Sequence, residues 1–245
     1  MMWVSELWRY PVKSLGGQRV TDLELGPRGV IGDRAFALVD ARTGKVLTAK
    51  RMPVLLRARA RLQSGGAEIV LPTGIRVHSS DPAVDMVLSA WLERPVHLLH
   101  TPAQGARIEE YGDDDSTFEL PPWGFVDDSP LHLLSRATLR AAREWHPEGA
   151  WEVRRFRPNI VLDGAEEPPV DHHVDLGQAQ IHVTGGCRRC VMITQPQEGL
   201  PADRAILRSV TTRSAANLGV YADVTHPGTV SLGDKAALTL TASAL

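Results

Sequence analysis

Apolar runs in this chain are short, and glycine and proline interrupt them throughout, with 21 Gly and 17 Pro in 245 residues. Punctuation at that density favours many short strands with a few helices between them. Residues 4–12, 37–40, 57–63, 67–71, 75–78, 96–100, 159–163 and 179–184 read as strands, several with period-two alternation. In 57–63 the alternation puts Arg57, Arg59 and Arg61 on one face and Ala58, Ala60 and Leu62 on the other, which predicts a half-buried strand with a solvated basic face. Three helices stand out. One starts at Asp81-Pro82, a cap residue followed by a proline, and carries Val84, Val87, Leu88, Trp91 and Leu92 as one apolar stripe. A second starts near Ser135 and buries Leu139, Ala142 and Trp145. A third runs from Asp203 to Thr212. The acidic, then proline-rich stretch 109–123 reads as a solvated loop, and a junction between two halves is expected near residue 120.

Charge and cysteine content narrow the function classes. Lys plus Arg is 27 and Asp plus Glu is 29, a net charge of −2. A near-neutral chain is not built for generic nucleic-acid binding. No apolar stretch is long enough for a membrane span, and the first residues do not read as a secretory signal. The only two cysteines are Cys187 and Cys190. A secreted disulfide scaffold is thereby excluded, and a cytoplasmic location is expected.

Those cysteines sit in Gly185-Gly186-Cys187-Arg188-Arg189-Cys190, which can be read four ways. It can be a dithiol redox pair, with cations lowering the thiol pKa. Against that, Val191-Met192-Ile193 looks like a strand rather than a helix. It can be half of a zinc site, with histidines such as His172, His173 and His182 supplying the rest. It can be two buried thiols. Or one thiolate can bind a soft, redox-active metal while the arginines hold that metal's anionic carrier. Spacing alone does not choose among these. Other cations gather at loop-to-strand junctions. Arg154, Arg155, Arg157 and Asn159 precede Ile160-Val161-Leu162. Lys13 and Ser14 follow Tyr10-Pro11-Val12, and Arg34 follows Gly32-Asp33. Convergence of these groups would create a polyanion site.

Taken together, Y-P-V-K-S at 10–14, G-D-R at 32–34, F-R-P-N-I-V at 156–161, C-R-R-C at 187–190 and G-V-Y-A with P-G-T-V and G-D across 219–234 resemble the MOSC family, named for the C-terminal domain of molybdenum cofactor sulfurase. The likeness covers nearly the whole chain and is strongest to amidoxime-reducing members. It implies a β-rich α+β fold, in which a β-barrel MOSC domain (121–245) packs with an N-terminal β-barrel-like domain (1–120). It also implies a molybdopterin-type molybdenum cofactor. By motif match Cys190 would be the molybdenum ligand and catalytic centre. Lys13, Ser14, Arg34, Asp128, Ser129, Arg157, Asn159, Arg188 and Arg189 would contact the cofactor. The implied activity is reduction of small N-hydroxylated compounds. With no cysteines left for an iron–sulfur cluster, a separate reductase is expected to supply the electrons. A cofactor or sulfur carrier without turnover is the rival reading, and a thiol–disulfide oxidoreductase is a third. His132 and His226 are candidate proton donors by residue type alone.

Overall fold

The computed structural model describes residues 1–101, 109–111, 117–119 and 124–239. The junction expected at 120 falls outside them. Of the acidic stretch, Glu109–Tyr111 and Thr117–Glu119 pair as an antiparallel hairpin.

Seven strands close into a barrel. In order around it they are Met2–Arg9, Ile160–Asp163, Leu131–Ser135, Asn217–His226, Ala179–Arg188, His173–Leu176 and Lys235–Leu238, which returns to Met2–Arg9. The first strand of the chain therefore sits between Ile160–Asp163 and Lys235–Leu238, both from the far half of the sequence. All neighbours are antiparallel except Leu131–Ser135 and Ile160–Asp163, which run parallel. Parallel neighbours need a long crossover. Here it contains the helix Arg136–Trp145 and the short helix Val153–Phe156. Ser135 caps the first of these by accepting a hydrogen bond from the Ala137 N–H.

Alternation along these strands fills the barrel. Val4, Leu131, Leu133, Ile160, Leu162, Val174, Ile181 and Val183 share one buried cluster. Outside it, Leu139 and Ala142 pack with Trp151, Phe156, Ile206 and Val210 under the helix Arg204–Ser214. Asp203 caps that helix through the Ala205 N–H. Trp145 is only half-buried and packs at the edge of the group.

A second body lies between residues 35 and 100. It comprises the pair Phe36–Asp40 with Val96–His100, the meander Arg59–Gln63, Gly66–Val70 and Arg76–His78, and the helix Val84–Leu92. The expected strand is shorter, Arg59–Gln63, because Arg57 closes a 3₁₀ turn at Pro53–Arg57, but the alternation is present: Arg57, Arg59 and Arg61 are exposed, while Ala58 and Ala60 are buried. Asp81 does not cap the helix directly. Its carboxylate accepts from the Ala83 N–H and forms a turn one step earlier. The two bodies meet where Met192, from the far half, packs on the core of the second body.

Val191-Met192-Ile193, expected as a strand, is instead a 3₁₀ turn spanning Val191–Thr194. Tertiary contacts override the β-branched composition. Ile193 is buried under the helices while Met192 turns toward the other body. Arg155 fixes the turn by donating to the Ile193, Gln195 and Pro201 carbonyls. Among the described residues no helix is long and apolar enough to cross a membrane.

Leu7 is fully buried in the barrel core and pairs with Ile160 at the closure. Leu7→Ala is expected to cost about 2–5 kcal/mol, as large-to-small changes in packed cores do. Urea denaturation should read this as a lower midpoint with an unchanged slope.

Candidate functional site

A cavity of about 230 Å³ opens where the barrel meets the second body. Its wall comes from residues 126–129 and His132, residues 155–157 and Asn159, residues 187–190, Met192 and Ile193, Tyr221, and Arg34 with Lys50. Eight of the ten residues singled out in the sequence face it: Arg34, Asp128, Ser129, Arg157, Asn159, Arg188, Arg189 and Cys190. The other two lie behind the wall. The Lys13 ammonium donates to Asp127 at 2.6 Å and to the Phe125 carbonyl at 3.0 Å. The Ser14 hydroxyl accepts from the Ala49 N–H at 3.0 Å.

Positive charge is concentrated here, and the fold spends much of its hydrogen bonding on holding it. Arg34 pairs with Asp33 and donates to the Asn159 side chain and the Arg157 carbonyl, both at 3.4 Å. Burial works against its charge, but Asp33 outweighs burial and holds its pKa above the ordinary value. Arg157 has no carboxylate partner among the described residues. It donates to the Leu15 carbonyl at 2.5 Å and lies over the Tyr10 ring at 4.3 Å. Burial, helped by the Arg34 charge, pushes its pKa down to about 10. The opposite face of the problem is Arg155, 1% exposed, which serves as a clamp on four backbone carbonyls rather than as a wall cation free to bind.

Arg189 is similarly committed. It donates to the Leu218 carbonyl at 2.8 Å, to the Phe156 carbonyl at 3.0 Å and to His132 Nε2. Burial, then the Arg189 charge, drives the His132 pKa well below its ordinary value, so the ring is neutral and its Nε2 accepts. His226, the other histidine named by type, is exposed at the end of its strand and does not line the cavity. Arg188 differs from its neighbours: its guanidinium makes no hydrogen bond among the described residues and faces the cavity.

Three of these residues, Ser14, Arg34 and Arg157, adopt a left-handed backbone, with φ of 67°, 45° and 54°. Non-glycine residues pay of order 1–3 kcal/mol for such a conformation, and it clusters at functional sites. No side-chain pattern signals it in a sequence.

Cys187 and Cys190 both face the cavity but differ in environment. Cys187 is buried, and burial pushes its thiol pKa up against the opposing Arg189 charge. Cys190 is half-buried. Between them the chain stays extended. Arg188 pairs with Asn217, and the Arg189 N–H donates to the Ala216 carbonyl at 2.7 Å. The strand is irregular at Cys187 and ends at Arg188, so Cys190 lies just beyond it on the wall of the same cavity. What separates the two thiols is burial: Cys187 is covered and Cys190 is partly open to the cavity. The histidines named for a zinc site go elsewhere: His173 stacks against His182 with ring centroids 4.8 Å apart, and His172 bonds the Val170 carbonyl.

Sequence reasoning did not single out Tyr10, Lys50, Asp127, Phe156 or Tyr221 as site residues. Tyr10 had a signal: in the expected strand 4–12 it falls two residues from Trp8 and so on the same face; the strand ends at Arg9, yet the two rings do stack at 6.3 Å. Asp127 had none, since nothing in Asp127-Asp128-Ser129 says which carboxylate meets Lys13. Asp128 instead accepts from the Tyr221 hydroxyl at 3.3 Å.

Comparison with known proteins now bears on this geometry. Residues 1–104 match the model of the MOSC N-terminal beta barrel domain, and residues 121–237 match that of the MOSC domain. The chain belongs to the MOSC family. Molybdenum cofactor sulfurase of Danio rerio is 28% identical over 89% of this chain, and the chain spans 31% of that protein. Mitochondrial amidoxime reducing component 2 of Rattus norvegicus is 27% identical over 94% of this chain and 81% of its own length. The crystal structure of the YUAD protein from Bacillus subtilis shares the fold, with a TM-score of 0.53, 11% identity and coverage of 96% of this chain and 94% of that one.

Burial opposes ionisation of Asp127, but the charges of Lys13, Lys50 and Arg34 outweigh it and hold its pKa at about 2. A depressed folded-state pKa contributes stability above the unfolded value, near 3.8, and loses it as pH falls toward 2. The carboxylate is 46% exposed, so solvent screens the pair and the contribution is about 1 kcal/mol. Asp127→Asn should therefore be less stable than the parent at pH 6 by that amount. The difference should vanish near pH 2 in parallel thermal melts.

Proposed function

We propose that this MOSC protein is a molybdenum-cofactor-dependent reductase of small N-hydroxylated compounds, supplied with electrons by a separate donor. The observation that carries the reading is the donor set: a half-buried thiol, Cys190, in a cavity whose cations outnumber its two carboxylates, Asp127 and Asp128. A soft thiolate suits molybdenum, and surplus guanidinium groups suit the phosphate of a molybdopterin. The residues present fit that group. The names of the sulfurase and amidoxime-reducing relatives add to this support.

In this reading Cys190 holds the metal. Arg188, with its unbonded guanidinium, and Arg157, buried without a carboxylate, hold the phosphate-bearing ligand. Asn159 ties the wall together: its amide donates to the Trp8 carbonyl at 3.4 Å and its oxygen accepts from the His132 N–H at 3.3 Å. The Ser129 hydroxyl donates to the Leu131 and Ala222 carbonyls and fixes the adjacent Asp128. Lys13 and Ser14 act through their neighbours, Lys13 by fixing Asp127 and Ser14 by anchoring Ala49. When bound, the cofactor supplies the oxygen-atom and electron chemistry, and the protein supplies position and charge. The overall change consumes two electrons and two protons: the N–O bond breaks, the amine is released and the oxygen leaves as water. The two unbridged cysteines suit a reducing compartment, and we place the protein in the cytoplasm.

Protein from a cofactor-competent host should contain about one molybdenum and one pterin per chain, the stoichiometry of a single thiolate ligand. Cys190→Ala should lose N-hydroxy reductase activity with an artificial electron donor and most of its molybdenum by elemental analysis. Pterin and metal without turnover on any N-hydroxylated substrate would favour the carrier instead. Cys187→Ala should keep both metal and activity, since its thiol is not asked to ligate or to exchange.

A further inference from the structure

A second cavity, of about 330 Å³, shares only Arg157 with the cysteine-lined one. Three stretches of chain bring guanidinium groups to it: Arg19, Arg59, and the pair Arg154, within the short helix, and Arg157, just after it. Its one carboxylate, Glu198, is taken by Arg59. Arg19 reaches the buried Glu6 at 3.4 Å. Arg154 and Arg157 pair with no carboxylate among the described residues. Arg154 donates to the Glu198 carbonyl at 3.1 Å, and Arg157 to that of Leu15. Arg157 is 7% exposed, and a guanidinium taken out of water without a counter-charge is a costly arrangement that an anion relieves.

An independent observation points the same way. Tyr10, 2% exposed, lines this cavity and not the first, and its buried hydroxyl has no hydrogen-bond partner. Its ring is held between the Arg157 and Arg34 guanidinium groups, at 4.3 and 4.7 Å. Buried hydroxyls are almost always bonded, so an orphan beside unpaired cations marks a missing acceptor. We propose that this second cavity binds a phosphate group, free or as the monoester of a small molecule, between Arg154, Arg157 and the Tyr10 hydroxyl. Phosphate supplies both things the wall lacks, negative charge and acceptor oxygens in a compact tetrahedral group.

The site shares Arg157 with the cysteine-lined cavity, so Arg154 and Arg188, each lining one cavity alone, separate the two, and calorimetry tests it on the protein as purified. Inorganic phosphate should bind the parent. Arg154→Gln should weaken that binding about tenfold or more, as expected for loss of a charge-assisted bond. Arg188→Gln, which alters only the cysteine-lined cavity, should leave it unchanged. Tyr10→Phe keeps the ring between its two arginines. It should melt at or above the parent temperature without phosphate, yet gain less than the parent when phosphate is added. Tighter binding of glycerol 3-phosphate than of phosphate would identify the ester as the occupant, and the reverse order the free ion. The proposal is overturned if neither compound binds, if Arg188→Gln abolishes binding that Arg154→Gln retains, or if Tyr10→Phe gains as much from phosphate as the parent.

Discussion

The pairing of Met2–Arg9 with Ile160–Asp163 joins residues more than 150 positions apart, and the rest of the architecture follows from it. It closes the barrel, because the same first strand also carries Lys235–Leu238 on its other edge. It also builds the site. The strands are antiparallel, so the chain leaving the first strand emerges beside the chain entering the second. The Trp8 N–H bonds the Asn159 carbonyl at 2.8 Å. Tyr10 therefore comes to rest under Arg157, and the turn that follows it is delivered to the cavity. The parallel neighbour Leu131–Ser135 places His132 against Asn159 in the same way. Three motifs scattered over the sequence become one wall through backbone pairing, reinforced by the Asn159 side chain.

Gathering that many cations in one place would repel if the side chains were left free. Four of them are restrained, each by a different device. Arg34 has a carboxylate, Arg157 an aromatic face, Arg189 a neutral imidazole with backbone carbonyls, and Arg155 backbone carbonyls alone. Carbonyls and a π face orient a guanidinium without cancelling its charge. Net positive potential is thus preserved in the cavity while most of the groups that create it are held in place, which is the preorganisation an anion site requires. The left-handed backbone at Ser14, Arg34 and Arg157 is part of the same expense. It is borne by the barrel and the second body, whose cores fix both ends of each strained turn.

Much of this was legible locally. Alternation announced the strands, and Ser135 and Asp203 announced two helix starts, because cap and period act within a few residues. The motif order announced the family and eight of the wall residues. What escaped was decided at long range. The 3₁₀ turn at Val191–Thr194 depends on Arg155 reaching across from another element. Arg154, Arg155 and Arg157 look alike in a sequence, yet one faces the second cavity, one is a buried clamp and one stands between two cavities. The commitment of Lys13 to Asp127 depends on a contact between residues more than a hundred positions apart. Periodicity has no access to such contacts.

The two cysteines show how far a spacing can mislead. Three residues in a helix bring thiols together, but three residues in an extended strand keep them apart, and C-x-x-C is written the same way in both. Here the ladder to Ala216 and Asn217 holds the intervening arginines extended, so the thiols are separate groups with separate environments. Cys187 is sealed beneath Tyr221 and Cys190 faces the cavity half-exposed. These are the two cysteines of the chain, and the more accessible one is the one that faces the cavity. Under the proposed reduction, then, the redox chemistry turns on what a single thiolate, that of Cys190, ligates.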